Sequence, residues 1–476
     1  MFGKFKITWE TAFIVLFFIV GSAVALSTSL NDLDSNLHLD YVGEIQKTHS
    51  IPKYHPHVFN TEGIQVPFPY PIGYHLAMSI FPYWVPLYQV LQVAFATICL
   101  ILTLKLAGLL GIRKNKFVVL IPLVLAFSFS KYSITPHPDI FALMLVLLSA
   151  YFMLNYVQEG KKVHAFIAVM SGFYGSLTRE FALVTILFAS LAFLLKYKER
   201  WRRIVYVCLP ILFLTAMGYY LVNCSIRGEN IFYPFVGKSD PGAWEWYTTH
   251  VSFWNILRYE PVQAFEEILI TFSLFLPIFL LTKPRDKTLA LVFGCQIALT
   301  FILFPSTGGL RRYVMFTFPF LAIAYTNAFQ KLSKKALVCI LILGMLILYP
   351  AQGYVLEKDF PANFEGVAKN LGSNDSVLFR KYAQLAYRTG CKANWTSLFW
   401  SSDLFESFEN VDKVENLIKK HGITHVLIDR ELIIPTNSSM MGNDAVGYPE
   451  KWVEKIENIG TKIGETHRYL LYQVGS

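Results

Sequence analysis

The chain has 476 residues, of which 54% are hydrophobic and only 16% are charged, and its mean hydropathy is +0.42. Soluble domains carry about 25% charged residues, so this composition excludes an ordinary soluble protein and favours a membrane protein with several spans. The formal net charge of +9 does not indicate a nucleic-acid binder, because the basic residues cluster in short segments between apolar runs. Of the six cysteines, only Cys224 and Cys391 lie outside apolar runs, and we do not expect a disulfide between them.

Eleven apolar runs approach or exceed the 17 to 25 residues, approximately, that a helix needs to cross a bilayer. They lie at residues 9–29, 84–112, 117–134, 139–157, 164–179, 181–197, 204–222, 266–282, 288–305, 313–329 and 336–353. The runs that begin at 117, 164 and 181 are short for a span. The sequence therefore predicts a mainly α-helical, polytopic membrane bundle of about 11 spans.

The basic residues predict the orientation of this bundle. Lys4 and Lys6 precede the first run, and basic residues follow every even-numbered run from the second to the tenth. Basic loops stay on the cytoplasmic side, so we expect a cell-membrane protein with a cytoplasmic N-terminus. The loops after the odd-numbered runs then share the extracytoplasmic face, where they can build a single site.

The composition changes after about residue 356, where polar residues return. We predict two domains: a transmembrane domain of residues 1–355 and a soluble, extracytoplasmic α/β domain of residues 356–476. Within the second domain, residue patterns predict three strands and two helices. The strands are predicted at 377–379, 423–429 and 469–474, and the helices at 412–421 and 452–459.

The first outer loop, residues 31–75, is rich in acids and histidines, and such charge is costly beside a bilayer unless it has a purpose. Asp34 is predicted to be the N-cap of a helix over residues 35–47, and His38 follows it by one turn on the same side. This spacing brings a carboxylate and an imidazole to one place. An ordinary capped surface helix is the alternative interpretation.

Two further outer turns carry opposite charges. In ITPHPDIF, Pro138 is predicted to begin a membrane helix, and Asp139 lies in its first turn, where the helix dipole favours an anion. The alternative for Asp139 is simple capping of that helix. In SLTREFAL, Arg179 and Glu180 form a charged turn between two runs, for which a self-paired turn is the alternative.

Arg311 and Arg312 lie at the outer entrance of the tenth run, on the side opposite to that expected for basic residues. Guanidinium groups bind phosphates well, although contact with lipid head groups is the alternative. The aromatic segment 227–235 is a membrane belt, a surface that stacks on a sugar or a cover for a lipid, and the composition does not decide among the three. Together the outer loops supply a carboxylate base, fixed positive charge and access from the bilayer. These are the requirements for transferring a sugar from a lipid phosphate.

This pattern resembles the GT-C superfamily of polyprenyl-phosphate-sugar glycosyltransferases. That superfamily includes protein O-mannosyltransferases, aminoarabinose transferases of lipid A and the catalytic subunit of oligosaccharyltransferase. The resemblance covers most of the chain and includes the span count, the acidic first loop and the soluble outer domain. The motifs that carry it are Asp34-x-x-x-His38, YPIGYH ending at His75, His-Pro-Asp139, GENIFYPF after the seventh run, and Arg312-Tyr313 with Pro319.

The resemblance implies an inverting transfer on the extracytoplasmic face, with Asp34 as the general base. It implies that Asp139 is the acid of the second loop, which either orients the site or helps to hold a divalent metal. It implies that Arg311 or Arg312 holds the lipid phosphate. We expect His38 to belong to the catalytic group, and Arg179 and His75 to the donor-binding group. Some members hold a divalent metal between the two outer acids, so Asp34 and Asp139 are the candidate ligands for Mg²⁺ or Mn²⁺, while other members use none.

Two departures from the superfamily's motifs narrow this interpretation. The chain has no WWD-type motif, which disfavours oligosaccharide transfer to asparagine, and no adjacent Asp-Glu pair in the first loop. Asp32, Asp34 and Asp40 therefore compete for the role of base, and we prefer Asp34 because of its spacing to His38.

The expected partners are a polyprenyl-phosphate-sugar donor, a protein, lipid or glycan acceptor, and membrane lipid, with no nucleic acid. A transporter or flippase of lipid-linked glycans is the rival class, and a non-catalytic membrane scaffold is the third. A transporter is expected to bury ionisable groups near the middle of the bilayer and to have two repeated halves.

Overall fold

The computed structural model describes most of the chain and is mostly helical. The described residues are 8–28, 33–59, 65–67, 70–112, 116–228, 231, 252–303, 307–329, 333–357, 360–379, 393–396, 402–435 and 447–474. The helices that precede the C-terminal domain are α1 (Trp9–Ser27), α2 (Leu33–Thr48), α3 (Gly73–Met78), α4 (Val85–Leu109), α5 (Leu120–Val124), α6 (Phe127–Ile134), α7 (Pro138–Glu159), α8 (Lys162–Thr178), α9 (Glu180–Lys196), α10 (Trp201–Tyr219), α11 (Phe253–Tyr259), α12 (Pro261–Phe272), α13 (Phe275–Leu281), α14 (Lys287–Leu303), α15 (Thr307–Met315), α16 (Phe318–Ala324) and α17 (Lys334–Glu357).

The predicted apolar runs all fall on helices, but several runs are interrupted. Within the described part of the chain, five helices are long and apolar enough to cross a membrane singly, or up to seven spans exist if two sharply bent pairs count as one span each. The pair α5 and α6 bends by 79° and the pair α12 and α13 by 92°. The second bend occurs at Ser273, whose φ of 47° leaves the helical region. Multiple spans are thus present, while the number 11 stays a prediction.

Helix α7 lies at the centre of the bundle. Its surface is apolar on all sides, which allows other helices to pack around it. In its most apolar 18-residue window 72% of the residues are buried, compared with 22% for α1 at the periphery. A helix that is hydrophobic all round packs on every face. The first turn of α7 therefore begins inside the protein, and any polar side chain there needs polar partners.

The C-terminal domain contains helices α18 (Phe360–Ala368), α19 (Ser402–Glu409), α20 (Val414–Lys420) and α21 (Glu450–Ile459). The strands are β1 (Tyr54–Phe59), β2 (Gln65–Pro67), β3 (Ser376–Leu378), β4 (Asn394–Thr396), β5 (His425–Asp429), β6 (Ile433–Ile434), β7 (Tyr448–Pro449), β8 (Thr461–Glu465) and β9 (Tyr469–Gln473). Seven of these strands form a mixed sheet in the order β2-β1-β4-β3-β5-β9-β8. The three strands and two helices predicted for this domain are confirmed within two residues at most of their ends, except that the first helix begins with a 3₁₀ turn.

The first outer loop contributes two strands, β1 and β2, to this sheet. β1 pairs in parallel with β4, where Phe59 lies opposite Thr396. The sheet therefore joins residues from both sides of the division that the sequence placed after residue 355. That division stays a prediction, but the loop that carries the acidic residues is attached directly to the C-terminal domain.

Helix α3 packs against the end of α8 through a glycine. A β-carbon at Gly73 would lie 2.8 Å from the backbone carbon of Leu177 and 2.6 Å from Oγ1 of Thr178. The Tyr174 hydroxyl also donates to the Gly73 carbonyl at 2.8 Å. Only glycine permits this approach without displacing the backbone just before Arg179.

The Gly73→Ala variant is therefore expected to lose about 1–3 kcal/mol of stability through overpacking. It should also lose activity, because the shift reaches Arg179. Gly294→Ala is the matched control, since a β-carbon there would meet no described atom within 4 Å. Thermal unfolding of the two purified variants measures their stability. Equal melting temperatures for Gly73→Ala and Gly294→Ala would contradict the expected loss of stability.

Candidate active site

Helix α2 carries the acidic segment of the first loop into the protein. The helix begins at Leu33, so Asp34 lies in its first turn and is not the N-cap that the sequence predicted. The side chain of Asp34 and all of Asp32 lie outside the part of the chain that the structure describes. His38, one turn further along, is fully buried, which an exposed amphipathic surface helix would not produce.

Three imidazoles meet at this point. Nδ1 of His38 lies 2.9 Å from Nε2 of His75, and the ring centroid of His38 is 5.0 Å from that of His137. All three side chains are fully buried. Tyr70 lies against the same cluster, with its ring centroid 4.6 Å from that of His38. The first loop and the turn before α7 are thus brought together through histidines.

His75 lies in α3, outside the apolar runs, and its surroundings favour the neutral imidazole. Burial is the main cause that holds the pKa of His75 well below its usual value of 6.5, and the charges of Arg227 and Arg179 lower it further. Below pH 6.5 the unfolded chain binds a proton at this residue that the folded protein does not. Folding stability is therefore present above that pH and is lost as the pH falls.

The His75→Gln variant should accordingly show a weaker loss of stability between pH 6.5 and pH 5. The difference in slope should be about 1.4 kcal/mol per pH unit. His467→Gln, at an exposed position of the C-terminal domain, is the control and should keep the wild-type slope. Melting temperatures at several pH values test this expectation, which parallel wild-type and His75→Gln curves would contradict.

Asp139 is the buried carboxylate at the centre of the cluster. Helix α7 begins at Pro138 and Asp139 lies in its first turn, so this local prediction is confirmed. The carboxylate is fully buried, with Oδ1 2.6 Å from Nε of Arg179 and Oδ2 2.7 Å from Nδ1 of His137. Asp139 therefore does more than cap a helix, because it is one member of a buried group of charges.

Arg179 belongs to this group and does not pair with its neighbour in the sequence. Its guanidinium bonds to Asp139 and lies 5.1 Å from the ring centroid of Tyr70. Glu180 instead accepts a hydrogen bond of 3.3 Å from the Tyr313 hydroxyl. The alternative of a self-paired Arg179-Glu180 turn is thus wrong, because the carboxylate that bonds to Arg179 comes from another helix.

One donor of the Arg179 guanidinium has no partner in the part of the chain that the structure describes. The side chain is only 3% exposed, and among the described residues its Nη2 atom finds no hydrogen-bond acceptor. A buried donor without an acceptor is costly, at about 1–3 kcal/mol. Such a group in a native protein calls for an explanation, and an anionic ligand that accepts from it is one.

Arg311 and Arg312, just before the tenth apolar run, bind different partners. Arg312 donates through Nε to the Tyr132 hydroxyl at 3.0 Å, and the ring of Tyr132 lies 4.9 Å from that of His137. Arg311 forms a two-point ion pair with Glu267 on α12, with Nε at 2.8 Å from Oε2. Of the two, Arg312 is the one linked to the histidine cluster, through Tyr132.

Arg227 and Tyr41 are cluster residues that the sequence did not single out as site residues. The Arg227 side chain is 2% exposed and donates to the Tyr41 hydroxyl at 3.1 Å. That hydroxyl in turn donates to the Pro52 carbonyl. Arg227 directly follows the π-helical segment Tyr220–Ile226, and such segments often mark functional sites. The sequence signal that could have identified Arg227 is its basic charge in a loop on the predicted outer side, where acidic loops predominate.

The described surroundings of Asp139 do not fit a divalent metal; the side chain of Asp34, the other candidate ligand, lies outside the described residues. Both of its oxygens already face nitrogen atoms, one of them on a guanidinium cation. In the described ranges, no group of three or more His, Cys, Asp or Glu side chains is placed to hold a metal ion. Metal ions such as Mg²⁺ require several oxygen ligands, whereas the groups bonded to or facing the Asp139 carboxylate are a guanidinium and an imidazole.

Comparison with solved structures identifies the fold. ArnT, an aminoarabinose transferase from Cupriavidus metallidurans crystallised with undecaprenyl phosphate, matches with a TM-score of 0.63 and 13% identity over 98% of each chain. The archaeal oligosaccharyltransferase AglB from Archaeoglobus fulgidus, in complex with an inhibitory peptide and a dolichol-phosphate, matches with a TM-score of 0.51 and 11% identity. That match covers 90% of this chain and 70% of AglB. A second AglB structure, in complex with zinc and sulfate, gives a TM-score of 0.53.

The GT-C resemblance is therefore confirmed at the level of the fold. No family model matches the sequence, and no curated protein matches it. At 11% to 13% identity, the fold is what these neighbours share with this chain. The chemistry must be argued from the residues of this protein.

Proposed function

We propose that this protein is a membrane glycosyltransferase that moves a sugar from a polyprenyl-phosphate-linked donor to an acceptor on the extracytoplasmic face. The observation that carries the proposal is the buried cluster in which Arg179 and Arg312 lie around Asp139 and three histidines. Fixed cations in a buried site stabilise a phosphate that gains charge as it departs. The GT-C fold, in which ArnT binds undecaprenyl phosphate, supports the same donor class.

The proposed reaction inverts the configuration at the anomeric carbon. A nucleophilic atom of the acceptor attacks that carbon from the face opposite the phosphate, and the bond from the carbon to the phosphate oxygen breaks. The bonding electrons leave with the oxygen, which produces polyprenyl phosphate. The proton of the acceptor passes to the carboxylate of Asp34, the proposed general base. Arg179 and Arg312 would stabilise the charge on the leaving phosphate.

The proposed orientation places the N-terminus in the cytoplasm and residues 356–476 outside. The basic loops after the even-numbered runs support this orientation. It also places the first outer loop, the turn at Asp139 and the turn at Arg179 on one side of the membrane. The acceptor would then approach from the side of the sheet that β1 and β2 share with the C-terminal domain.

The proposal is tested with the purified full-length protein in lipid nanodiscs. A panel of polyprenyl-phosphate-linked sugars is offered with protein, lipid and glycan acceptors, and formation of polyprenyl phosphate is followed by mass spectrometry. We expect at least one donor to release polyprenyl phosphate in step with glycosylation of an acceptor. If proteoliposomes move lipid-linked glycan between leaflets and no donor is consumed, the protein is a flippase and the proposal is wrong.

A further inference from the structure

The pairing of Asp139 with Arg179 has a consequence for the cofactor requirement of the proposed function, on which this inference rests. The acid of the second outer loop is an expected ligand for a divalent metal in this fold. Here that carboxylate is fully buried and holds a guanidinium through Oδ1, with the His137 imidazole at Oδ2. A cation therefore already occupies the neighbourhood where a metal ion would have to bind.

The guanidinium of Arg179 has one more donor than its protein partners use. Nε bonds to Asp139, the face of the group covers Tyr70, and Nη2 meets no acceptor among the described residues. The charge cannot be hydrated easily because the side chain is 3% exposed. A phosphate oxygen is the acceptor that best matches a fixed, forked guanidinium.

Arg312 provides a second cation near the same position. Its guanidinium lies 5.7 Å from the Tyr132 ring centroid, and that ring is in contact with His137. Two guanidinium groups thus lie near Asp139, and the carboxylate of Glu180 also acts electrostatically on Arg179. A phosphate oxygen bound at Nη2 of Arg179 would satisfy that buried donor without a metal.

We infer that Arg179, fixed in position by Asp139, binds the phosphate of the lipid donor in place of a divalent metal, so that transfer is independent of metal ions. Asp139 is then a positioning residue that orients Arg179 and has no direct role as a metal ligand. The sugar phosphate is held by Nη2 of Arg179 on one side and approached by Arg312 on the other. The inference assigns the cofactor requirement of this particular chain, which the fold leaves open.

Three measurements on the full-length protein test the inference. Release of polyprenyl phosphate from the donor is measured with EDTA and with added Mn²⁺. Binding of polyprenyl phosphate is measured by native mass spectrometry in metal-free buffer, and binding of Mn²⁺ by electron paramagnetic resonance. The variants are Arg179→Met, Arg179→Lys in case the first does not fold, and Arg430→Met. Arg430 pairs with Glu465 on the C-terminal domain, far along the chain from the cluster, and is the matched control.

We expect EDTA to change transfer by less than twofold and Arg179→Met to lower kcat/KM by about 100- to 1000-fold, the effect of removing one fixed donor from a reacting anion. Affinity for polyprenyl phosphate should fall about tenfold in Arg179→Met, with Arg179→Lys between that variant and wild type and Arg430→Met unchanged. Transfer that EDTA abolishes and Mn²⁺ restores would overturn the inference while leaving the proposed function intact. If wild type binds one equivalent of Mn²⁺ and Asp139→Asn does not, the inference is likewise overturned and the proposed function remains intact.

The measurement of polyprenyl phosphate binding tests the role of Arg179 even if no donor of the panel reacts. Metal-free wild type that binds polyprenyl phosphate tightly, with weaker binding in Arg179→Met, supports the phosphate role of Arg179. Equal affinities of wild type and Arg179→Met overturn it. Failure of wild type to bind polyprenyl phosphate at all overturns both the inference and the proposed function.

Discussion

Asp34→Asn is expected to lower the transfer rate by about 10²- to 10⁴-fold, the usual contribution of a general base. The substitution keeps the size and shape of the side chain and removes its ability to accept a proton. Expression, thermal stability and donor binding should remain close to wild type. The loss should therefore appear in kcat at saturating donor and acceptor, and KM should change little.

Helical geometry explains why Asp34, and not Asp40, is the expected base. Successive residues of an α-helix are about 100° apart around its axis, so Asp34 and His38 differ by about 40° and share one face. Tyr41 lies on the same face, and both His38 and Tyr41 contact His75. Asp40 is about 200° from His38 and faces the other way, although it is also buried.

Asp40→Asn is the matched control for this experiment. Initial rates of polyprenyl phosphate release should separate the two variants clearly, with Asp40→Asn within threefold of wild type. If Asp34→Asn turns over at the wild-type rate, Asp34 is not the base. If Asp40→Asn is the inactive variant, the base is on the opposite face of α2 and the proposed arrangement of the acceptor must be reversed.

Local patterns in the sequence were sufficient to predict that Asp139 lies in the first turn of α7. They were insufficient to predict which side chains bond to it. Pro138 fixes the start of α7 through its own backbone preference, so a prediction from eight residues was confirmed. The ion pair with Arg179 joins side chains 40 positions apart. From sequence alone the neighbouring Glu180 was the simplest partner for that arginine. Only the packing of α7, α8 and α9 brings Asp139 within hydrogen-bonding distance of it.

The two strands of the first outer loop, β1 and β2, could not be predicted from the sequence. Strand β1 has the sequence YHPHVF, and a proline at its third position argues against a strand. The segment is nonetheless extended because it pairs with β2 and with β4 of the C-terminal domain. Pairing between segments more than 300 residues apart leaves no periodic signal in either one. By contrast, three strands of the C-terminal domain, β3, β5 and β9, were predicted from their own residues.

The largest expected effect on stability concerns the Asp139–Arg179 pair. Asp139→Asn should lower the free energy of unfolding by about 3–5 kcal/mol, because it leaves a buried guanidinium without its counter-charge. The two side chains are 0% and 3% exposed, so water cannot replace the lost partner. Arg179→Gln should also destabilise the protein, but the double variant should lose less than the sum of the two single losses.

A double-mutant cycle measures this coupling directly, with unfolding of each purified variant followed in detergent. We expect a coupling energy above about 1 kcal/mol, since side chains in contact are not additive. Lys196 and Asp286, which are 30% and 18% exposed, provide the control cycle, with an expected coupling of about 0–1 kcal/mol. Losses at Asp139 and Arg179 that add within about 0.5 kcal/mol would mean that the two residues are not a coupled pair. The claim that Asp139 fixes the position of Arg179 would then be wrong, even if both variants are inactive.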